Sequence, residues 1–252
     1  MTYQPPFQVT SKIVNQINAI SEQIGRISAQ TLTASPQLRR QNRIRTIQGT
    51  LAIEGNTLSL DQVTAIVEGK RVLGQPREIS EVQGAILAYE ALPDWNPASV
   101  KDLLAAHRLL MANILVEARK FRKGGVGIYK GDQVVHVAPP AKRVPQLVED
   151  LMNWVGSSED HALIRSCVFH YELEFIHPFT DGNGRIGRLW QTLILGGWNE
   201  LFYLLPIEGL VKDQQNGYYQ ALASADKAAD SSLFIEFMLE IIDAVLQSEL
   251  SR

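Results

Sequence analysis

The chain has 252 residues, 45% of them hydrophobic, enough to bury a substantial core as one large domain or a domain with an appendage. Its 24 basic residues stand against 27 acidic ones with no long Lys/Arg run, so the basic stripe that nucleic acid calls for is missing. The single cysteine, Cys167, excludes an internal disulfide and fits a reducing compartment, and no apolar run approaches the roughly 18 residues of a membrane span. Met1 to Thr10 is polar and proline-bearing, without the basic-then-apolar pattern of a signal peptide. The expectation is a cytoplasmic protein that binds neither nucleic acid nor membrane.

The pattern is helical from the start. Ile13, Ile17, Ile20, Ile24 and Ile27 recur at helical spacing and form one apolar stripe. Such an a/d repeat suits packing within the chain or, over barely two heptads, a homodimer seam. Ser35-Pro36 is a helix start, a capping hydroxyl followed by proline at the first helical position. That helix should run to about Glu54, where Gly55-Asn56 offers a left-handed stop. Ser59 with Gln62 makes a capping box for a short helix that ends near Gly69. A further helix is predicted from about Pro76 to Leu92, ended by Pro93, and another opens at Asn96-Pro97.

The composition then changes. Glycines 124, 125, 127 and 131 surround Val126, Ile128, Tyr129, Val134, Val135 and Val137, with Lys130-Gly131-Asp132 as a turn, which reads as a β-hairpin. Helices resume at about Pro145 to Trp154, Glu159 to Ile176, and Gly184 to Leu195, the last closed by Gly196-Gly197. Two more fill Lys212 to Ala225 and Ser231 to Leu250. The fold class is all-α, carrying one hairpin.

The run His177-Pro178-Phe179-Thr180-Asp181-Gly182-Asn183-Gly184-Arg185-Ile186-Gly187-Arg188 concentrates the chemistry. Proline at 178 disfavours helix at His177 and pushes it towards an extended conformation at a helix-to-loop junction. Phe179 is expected to point inward and anchor the loop. Gly182, Asn183 and Gly184 present backbone donors at the start of the next helix, a ready anion site. Arg185 and Arg188, three apart, project from one face towards the same polyphosphate. Asp181 offers the hard carboxylate oxygen that Mg²⁺ prefers, and His177 is placed to take a proton from an incoming hydroxyl.

Two other patterns are spelled here and fail on context. Gly182 to Gly187 matches G-x-G-x-x-G, with Glu200 downstream, but a dinucleotide-binding unit needs a strand before its first glycine. The preceding segment, Arg165 to Ile176, has helical periodicity. His170, Glu174 and His177 could be drawn as a metal triad, yet the order is not H-E-x-x-H and Pro178 displaces His177 from the helix face. His170 and Glu174 read instead as buried, satisfied polar groups near the floor of the site, and Cys167 as a core residue.

At these residues the chain resembles the Fic family, whose signature H-x-F-x-[DE]-G-N-G-R-x-x-R is matched in full from His177 to Arg188. Leu104 to Met111 is similar to the family's first core helix. Val134, Val135, His136 and Val137, followed by Ala138-Pro139-Pro140, are similar to the flap that lies across the active site. Thr50 to Asn56 matches the inhibitory motif [ST]-x-x-x-E-[GN]. The resemblance covers roughly residues 45 to 240. It implies a Fic-fold helical bundle in which residues 1–95 form an N-terminal region with the inhibitory helix at about 36–55. Residues 96–252 then form the Fic core with its C-terminal helices.

The resemblance also implies an activity: transfer of AMP from ATP to a Ser, Thr or Tyr hydroxyl of a protein substrate, the chain itself included. His177 resembles the general base and Asp181 the Mg²⁺ ligand bridging the α- and β-phosphates. Asn183 and the Gly182 and Gly184 amides resemble the anion nest, with Arg185 on the phosphates and Arg188 on the γ-phosphate. Tyr218, Tyr219 and Asp226 resemble positions lining the adenine pocket, although relatives often carry Asn at the last. Thr50 and Glu54, four apart, share a helix face. The expected partner of Glu54 is Arg188, so that a carboxylate competes with ATP for one guanidinium. The same fold also runs removal of AMP or transfer of another phosphate-containing group, and a nucleotide-binding module without turnover is the reading from another class.

Overall fold

The isoleucine stripe is used inside the chain. In the computed structural model, which describes residues 3–28, 35–115, 118–130 and 133–251 and gives only the backbone for 28, 127–130 and 133–136, helix α1 (Ser11–Ser28) lies along the last helix of the chain, residues 232–250. Ile13, Ile20, Ile24 and Ile27 are buried there. Gln16 Nε2 donates to the Glu236 carbonyl at 3.0 Å, which pins the two helices in register. The stripe is therefore not left over as a dimer seam.

Local signals set most boundaries. Helix α2 (Pro36–Ile53) starts as expected, with Ser35 Oγ accepting from the Leu38 N–H, and stops at Gly55, whose φ is +90°. Gly49 lets α2 cross the start of α9 (Ile207–Asp213) closely, because a Cβ there would stand 2.7 Å from the Glu208 backbone. Helix α3 (Leu60–Val67) carries the full Ser59/Gln62 capping box. Helix α4 (Pro76–Ala91) ends in a 3₁₀ turn, Leu92–Asp94, that includes Pro93.

Elsewhere side chains move the boundaries. Helix α5 (Val100–Leu110) begins later than Asn96-Pro97, because Asn96 Oδ1 closes a turn onto the Ala98 N–H and leaves the cap to Ser99. Helix α6 (Val144–Ser157) is followed by α7 (Ala162–Ile176), which starts not at Glu159 but after His161, whose Nδ1 accepts from the Leu163 N–H. Helix α8 (Asn183–Trp198) runs straight through Gly196-Gly197. Those glycines are not a stop: a Cβ on Gly196 would lie 2.1 Å from the Tyr203 ring, so Gly196 is there to admit that ring. The helix expected from Lys212 is really two, α9 and α10 (Gln215–Ala228), broken at Gln214 (φ −109°, ψ 30°). The break lets Ile207 and Val211 bury from one axis, and Tyr218 and Ala225 from another. Helix α11 (Ser232–Leu250) completes the bundle.

Strands β1 (Gly127–Lys130) and β2 (Gln133–Val137) pair antiparallel, Gly127 opposite Val137 and Lys130 opposite Gln133, with an irregularity between Ile128 and Tyr129. The expected turn residues Gly131 and Asp132, and the side chains of Val134, Val135 and His136, lie outside the described residues. Apolar residues from Ile13 to Leu92 and from Leu103 to Leu246 form one continuous core. Helices α7 and α8 are its packed centre, and the loop joining them carries the motif.

Candidate active site

His177 closes α7. Its N–H donates to the Leu173 carbonyl at 2.9 Å, and its backbone is left-handed (φ 49°, ψ 60°) rather than extended. Pro178 denies it the right-handed helical region, and a left-handed residue at this position still satisfies a last-turn carbonyl. That conformation costs a non-glycine residue about 1 kcal/mol, and Arg122 holds it. Arg122, 5% exposed, donates from Nε to the His177 carbonyl (2.7 Å) and from Nη2 to the Ile176 carbonyl (3.3 Å). The same guanidinium reaches the Gly124 carbonyl (2.8 Å) and the Pro139 carbonyl (2.6 Å), so one side chain ties the end of α7 to both roots of the hairpin.

Phe179 is fully buried, as its anchoring role requires, and stacks on His107 with centroids 3.8 Å apart and planes 7° from parallel. His107 Nε2–H donates to the Asp181 carbonyl (3.0 Å) while Nδ1 accepts from the Arg119 N–H (2.9 Å). One donor and one acceptor require the neutral ring, and burial accordingly pulls the His107 pKa down to about 4. The Asn183 carboxamide is spent on the loop, accepting from the Phe179 N–H and donating to the Phe179 carbonyl, both at 2.9 Å. Only its backbone N–H joins those of Gly184 and Arg185 at the head of α8, where the macrodipole is positive. Gly182 makes this turn at φ +87°, and a Cβ there would strike Met111 Sδ at 2.7 Å.

The charges of the motif are covered by the N-terminal helices. Arg185, nearly buried, meets Asp181 Oδ1 at 2.9 Å and Glu81 Oε1 of α4 at 3.5 Å. Arg77, also on α4, donates to Asp181 Oδ2 at 3.0 Å. Arg188 is 2% exposed and is held by α2 and its C-cap: Nε donates to the Thr50 hydroxyl (3.0 Å), and Nη2 to the Thr50 carbonyl (3.1 Å) and Glu54 Oε1 (2.6 Å). Burial by itself lowers the Arg188 pKa, but the Glu54 carboxylate, with Glu174 nearby, outweighs it and keeps the guanidinium above its ordinary range.

Beneath this lies a neutral polar floor. His170 is fully buried, with Nδ1–H donating to Gln191 Oε1 (2.8 Å) and Nε2 accepting from the Tyr218 hydroxyl (3.0 Å), so both ring nitrogens are committed. Burial lowers its pKa to about 3. Tyr218 is thus enclosed in the core, and of the expected adenine-pocket residues only Tyr219, 47% exposed, offers an open face. The Tyr219 hydroxyl donates to the Ile53 carbonyl at the end of α2 (3.3 Å). Asp226 accepts from the Tyr171 hydroxyl at 2.9 Å. Cys167 is buried, its thiol pushed up to about 12 by desolvation.

The structure therefore brings His177, Asp181, the head of α8, Arg185, Arg188, Thr50 and Glu54 together. Sequence reading missed His107, Arg122, Arg77 and Glu81. The signals were a lone histidine within the Leu103–Leu110 run of α5 and an i,i+4 Arg/Glu pair on α4, both of which also occur with no function. Asp181 is the one carboxylate of the loop, and among the described residues no group of three His, Cys, Asp or Glu could hold a metal unaided. A cation here would take one protein oxygen and complete its shell from phosphate and water, which suits Mg²⁺.

Residues 97–195 match the model of the Fic/DOC family. A crystal structure of a Fic family protein from Desulfovibrio desulfuricans G20 superposes with a TM-score of 0.94 at 54% identity, over 99% of this chain and 77% of that one. Fic-1 (residues 134–508) from C. elegans superposes with a TM-score of 0.81 at 25% identity, over 96% and 73%. Among curated proteins, protein adenylyltransferase fic-1 of Caenorhabditis briggsae is 33% identical over 85% of this chain and 43% of its own length. Its Caenorhabditis elegans namesake is 29% identical over 95% and 47%. The chain spans less than half the length of these two curated relatives. No helix among the described residues is long and apolar enough to cross a membrane. With the complete motif and a fold shared over nearly its whole length at 54% identity, the chain belongs to the Fic family.

Proposed function

We propose that the chain transfers AMP from ATP onto a Ser, Thr or Tyr hydroxyl of a target protein, and that α2 restrains this activity by holding Arg188. The names of the curated relatives support the reaction. The observation that carries the restraint is the Glu54–Arg188 pair at 2.6 Å, because a buried guanidinium cannot serve a carboxylate and a phosphate in one place. Residues 1–95 then act as a regulatory region on a catalytic core of 96–252.

In this reading His177 takes the proton of the target hydroxyl, which typically contributes about 10² to 10⁴-fold. Nucleotidyl transfer otherwise asks for in-line placement and charge neutralisation. The amides at the head of α8 with Arg185 receive the phosphates, and Arg188 the γ-phosphate once Glu54 leaves. Asp181 would hold Mg²⁺ once Arg77 leaves Oδ2, and the ion would supply charge neutralisation on the phosphates. Tyr219, with Asp226 and the floor provided by Tyr218, faces the adenine side. The hairpin, Val134 to Val137, is the flap, holding an extended target segment through main-chain bonds. The working compartment is the cytoplasm.

Labelling with α-labelled ATP tests both parts. Glu54→Gly is expected to incorporate at least about ten times the label of wild type, with γ-labelled ATP giving none. Equal α-labelling removes the restraint, and γ-labelling replaces AMP by phosphoryl transfer. Release of AMP from an AMPylated protein by wild type, and not by Glu54→Gly, would assign Glu54 to the reverse reaction instead.

A further inference from the structure

A second carboxylate, besides Glu54, faces the motif from within the core and adds to the charge around Arg188. Glu174 stands one turn before His177 on α7, and its Oε2 lies 3.9 Å from His177 Nδ1. Both side chains are largely withdrawn from water, at 13% and 17% exposure. The other oxygen, Oε1, lies 3.3 Å from where a Cβ would stand on Gly184 and 3.5 Å from the same point on Gly187. The carboxylate is thus seated in the groove that the two glycines open along α8. A Cβ on Gly184 would crowd it and would collide with Glu54 Oε1 at 2.3 Å, and one on Gly187 would meet His170 Cδ2 at 2.8 Å.

We propose that Glu174 is the positioning residue of His177: its Oε2 receives the Nδ1–H, so that the ring presents the Nε2 lone pair to the target hydroxyl. Closing 3.9 Å to a hydrogen bond needs only a small side-chain rotation, and such bonds are often long before substrate is bound. A carboxylate behind an imidazole fixes the tautomer and stabilises the cation formed when the proton arrives. The hydroxyl proton passes to Nε2, the oxygen forms a bond to the α-phosphorus, the bond from that phosphorus to the β-phosphate's bridging oxygen breaks, and pyrophosphate leaves with the electron pair. Glu174 stays ionised throughout and faces an imidazolium at the end.

The other charges facing this corner do not replace it. Arg122 reaches the His177 carbonyl, not the ring. Arg188 of α8, bound to Glu54 at 2.6 Å, also lies near Glu174 and is held more strongly charged by both carboxylates. The effect on His177 therefore has a definite sign: losing the Glu174 charge makes the imidazole harder to protonate.

The inference rests on the AMP-transfer reading for its purpose, but its test does not. In histidine-labelled protein, with His177→Ala identifying the resonance, ¹⁵N spectra should show wild-type His177 protonated at Nδ1. Glu174→Gln should lower the His177 titration midpoint by about one unit, and Glu174→Asp should recover part of the shift. In a Glu54→Gly background, Glu174→Gln should reduce α-label incorporation about 10- to 100-fold at an unchanged KM for ATP, with the acid limb of the rate profile moving to lower pH. An unmoved midpoint, or an Nε2–H tautomer in wild type, overturns the proposal even if activity falls. A shifted midpoint without any AMP transfer leaves the positioning intact and refutes the reaction instead. Should Glu174→Gln fail to fold, the Glu174→Asp midpoint, expected between neutral-variant and wild-type values and below wild type, decides alone.

Discussion

Thr50 and Glu54, one helical turn apart on α2, grip a single guanidinium: Arg188 donates to the Thr50 hydroxyl at 3.0 Å and to Glu54 Oε1 at 2.6 Å. The two contacts differ in kind. Glu54 supplies charge from a side chain one-third exposed, whereas Thr50 supplies neutral oxygens fully inside the protein. The charge is what competes with a phosphate, and the hydroxyl is what fixes the direction of the guanidinium.

Thr50→Val separates these. It keeps the shape and removes the acceptor of Arg188 Nε, leaving a buried charged donor unpaired, which should cost about 1–3 kcal/mol in urea unfolding. ATP affinity measured by calorimetry should rise only a few-fold, well short of the effect of Glu54→Gly. An affinity gain equal to that of Glu54→Gly would show that the hydroxyl, not the carboxylate, is the competitor.

Arg77 sits on the carboxylate assigned to Mg²⁺, at 3.0 Å from Asp181 Oδ2. Its side chain is 63% exposed, and exposed pairs are worth about 0–1 kcal/mol. Arg77→Ala should therefore lower the Mg²⁺ concentration at half-maximal labelling by at most about five-fold, and raised salt should shrink the difference. A higher Mg²⁺ requirement in the variant would mean that Arg77 helps to hold the loop rather than blocking it.

Arg122 is a cation with four carbonyl partners inside the protein. Arg122→Met strips all four acceptors at once and should destabilise the fold by about 3 kcal/mol. Lysine, lacking the planar fork, should restore only part. Hydrogen exchange offers the sharper reading: the Ala138 amide, bonded to the Val126 carbonyl at 3.1 Å, should exchange faster in Arg122→Met, while amides within α1 and α11 keep their relative order.

The two buried histidines make a pH prediction with a fixed sign. His107 and His170 fall from the usual 6.5 to about 4 and about 3 when folded. The unfolded chain therefore binds protons that the folded chain refuses. Their stability contribution is complete above pH 6.5 and is lost as pH falls from 6.5 towards 4, by up to about 1.4 kcal/mol per pH unit for each ring. Glu172 and Glu208, both raised by burial, act the opposite way near and above 4.5 and soften the decline. Urea midpoints at pH 7, 6 and 5 should drop for wild type, and His107→Gln should flatten that slope by about one proton.

The sequence alone determined the parts whose causes are local. A hydroxyl before a proline, a Ser/Gln box and a glycine after an apolar stripe act through their neighbours' backbone, so α2, α3 and the Gly55 stop stand where the residues put them. The ordered run from His177 to Arg188 likewise carried its chemistry in its spelling. Only the tertiary structure decided the rest. Gly196-Gly197 spelled a helix end, but the Tyr203 ring, arriving from the next turn, needed Gly196 inside the helix. Asn183 belonged to the anion nest by position, yet its carboxamide is used up on Phe179. Glu54 and Arg188 are 134 positions apart, and His107 and Asp181 are 74 apart. Which distant carboxylate or ring meets a motif side chain depends on how whole helices pack, and packing is settled by apolar contacts spread over the entire chain rather than by the residues that finally touch.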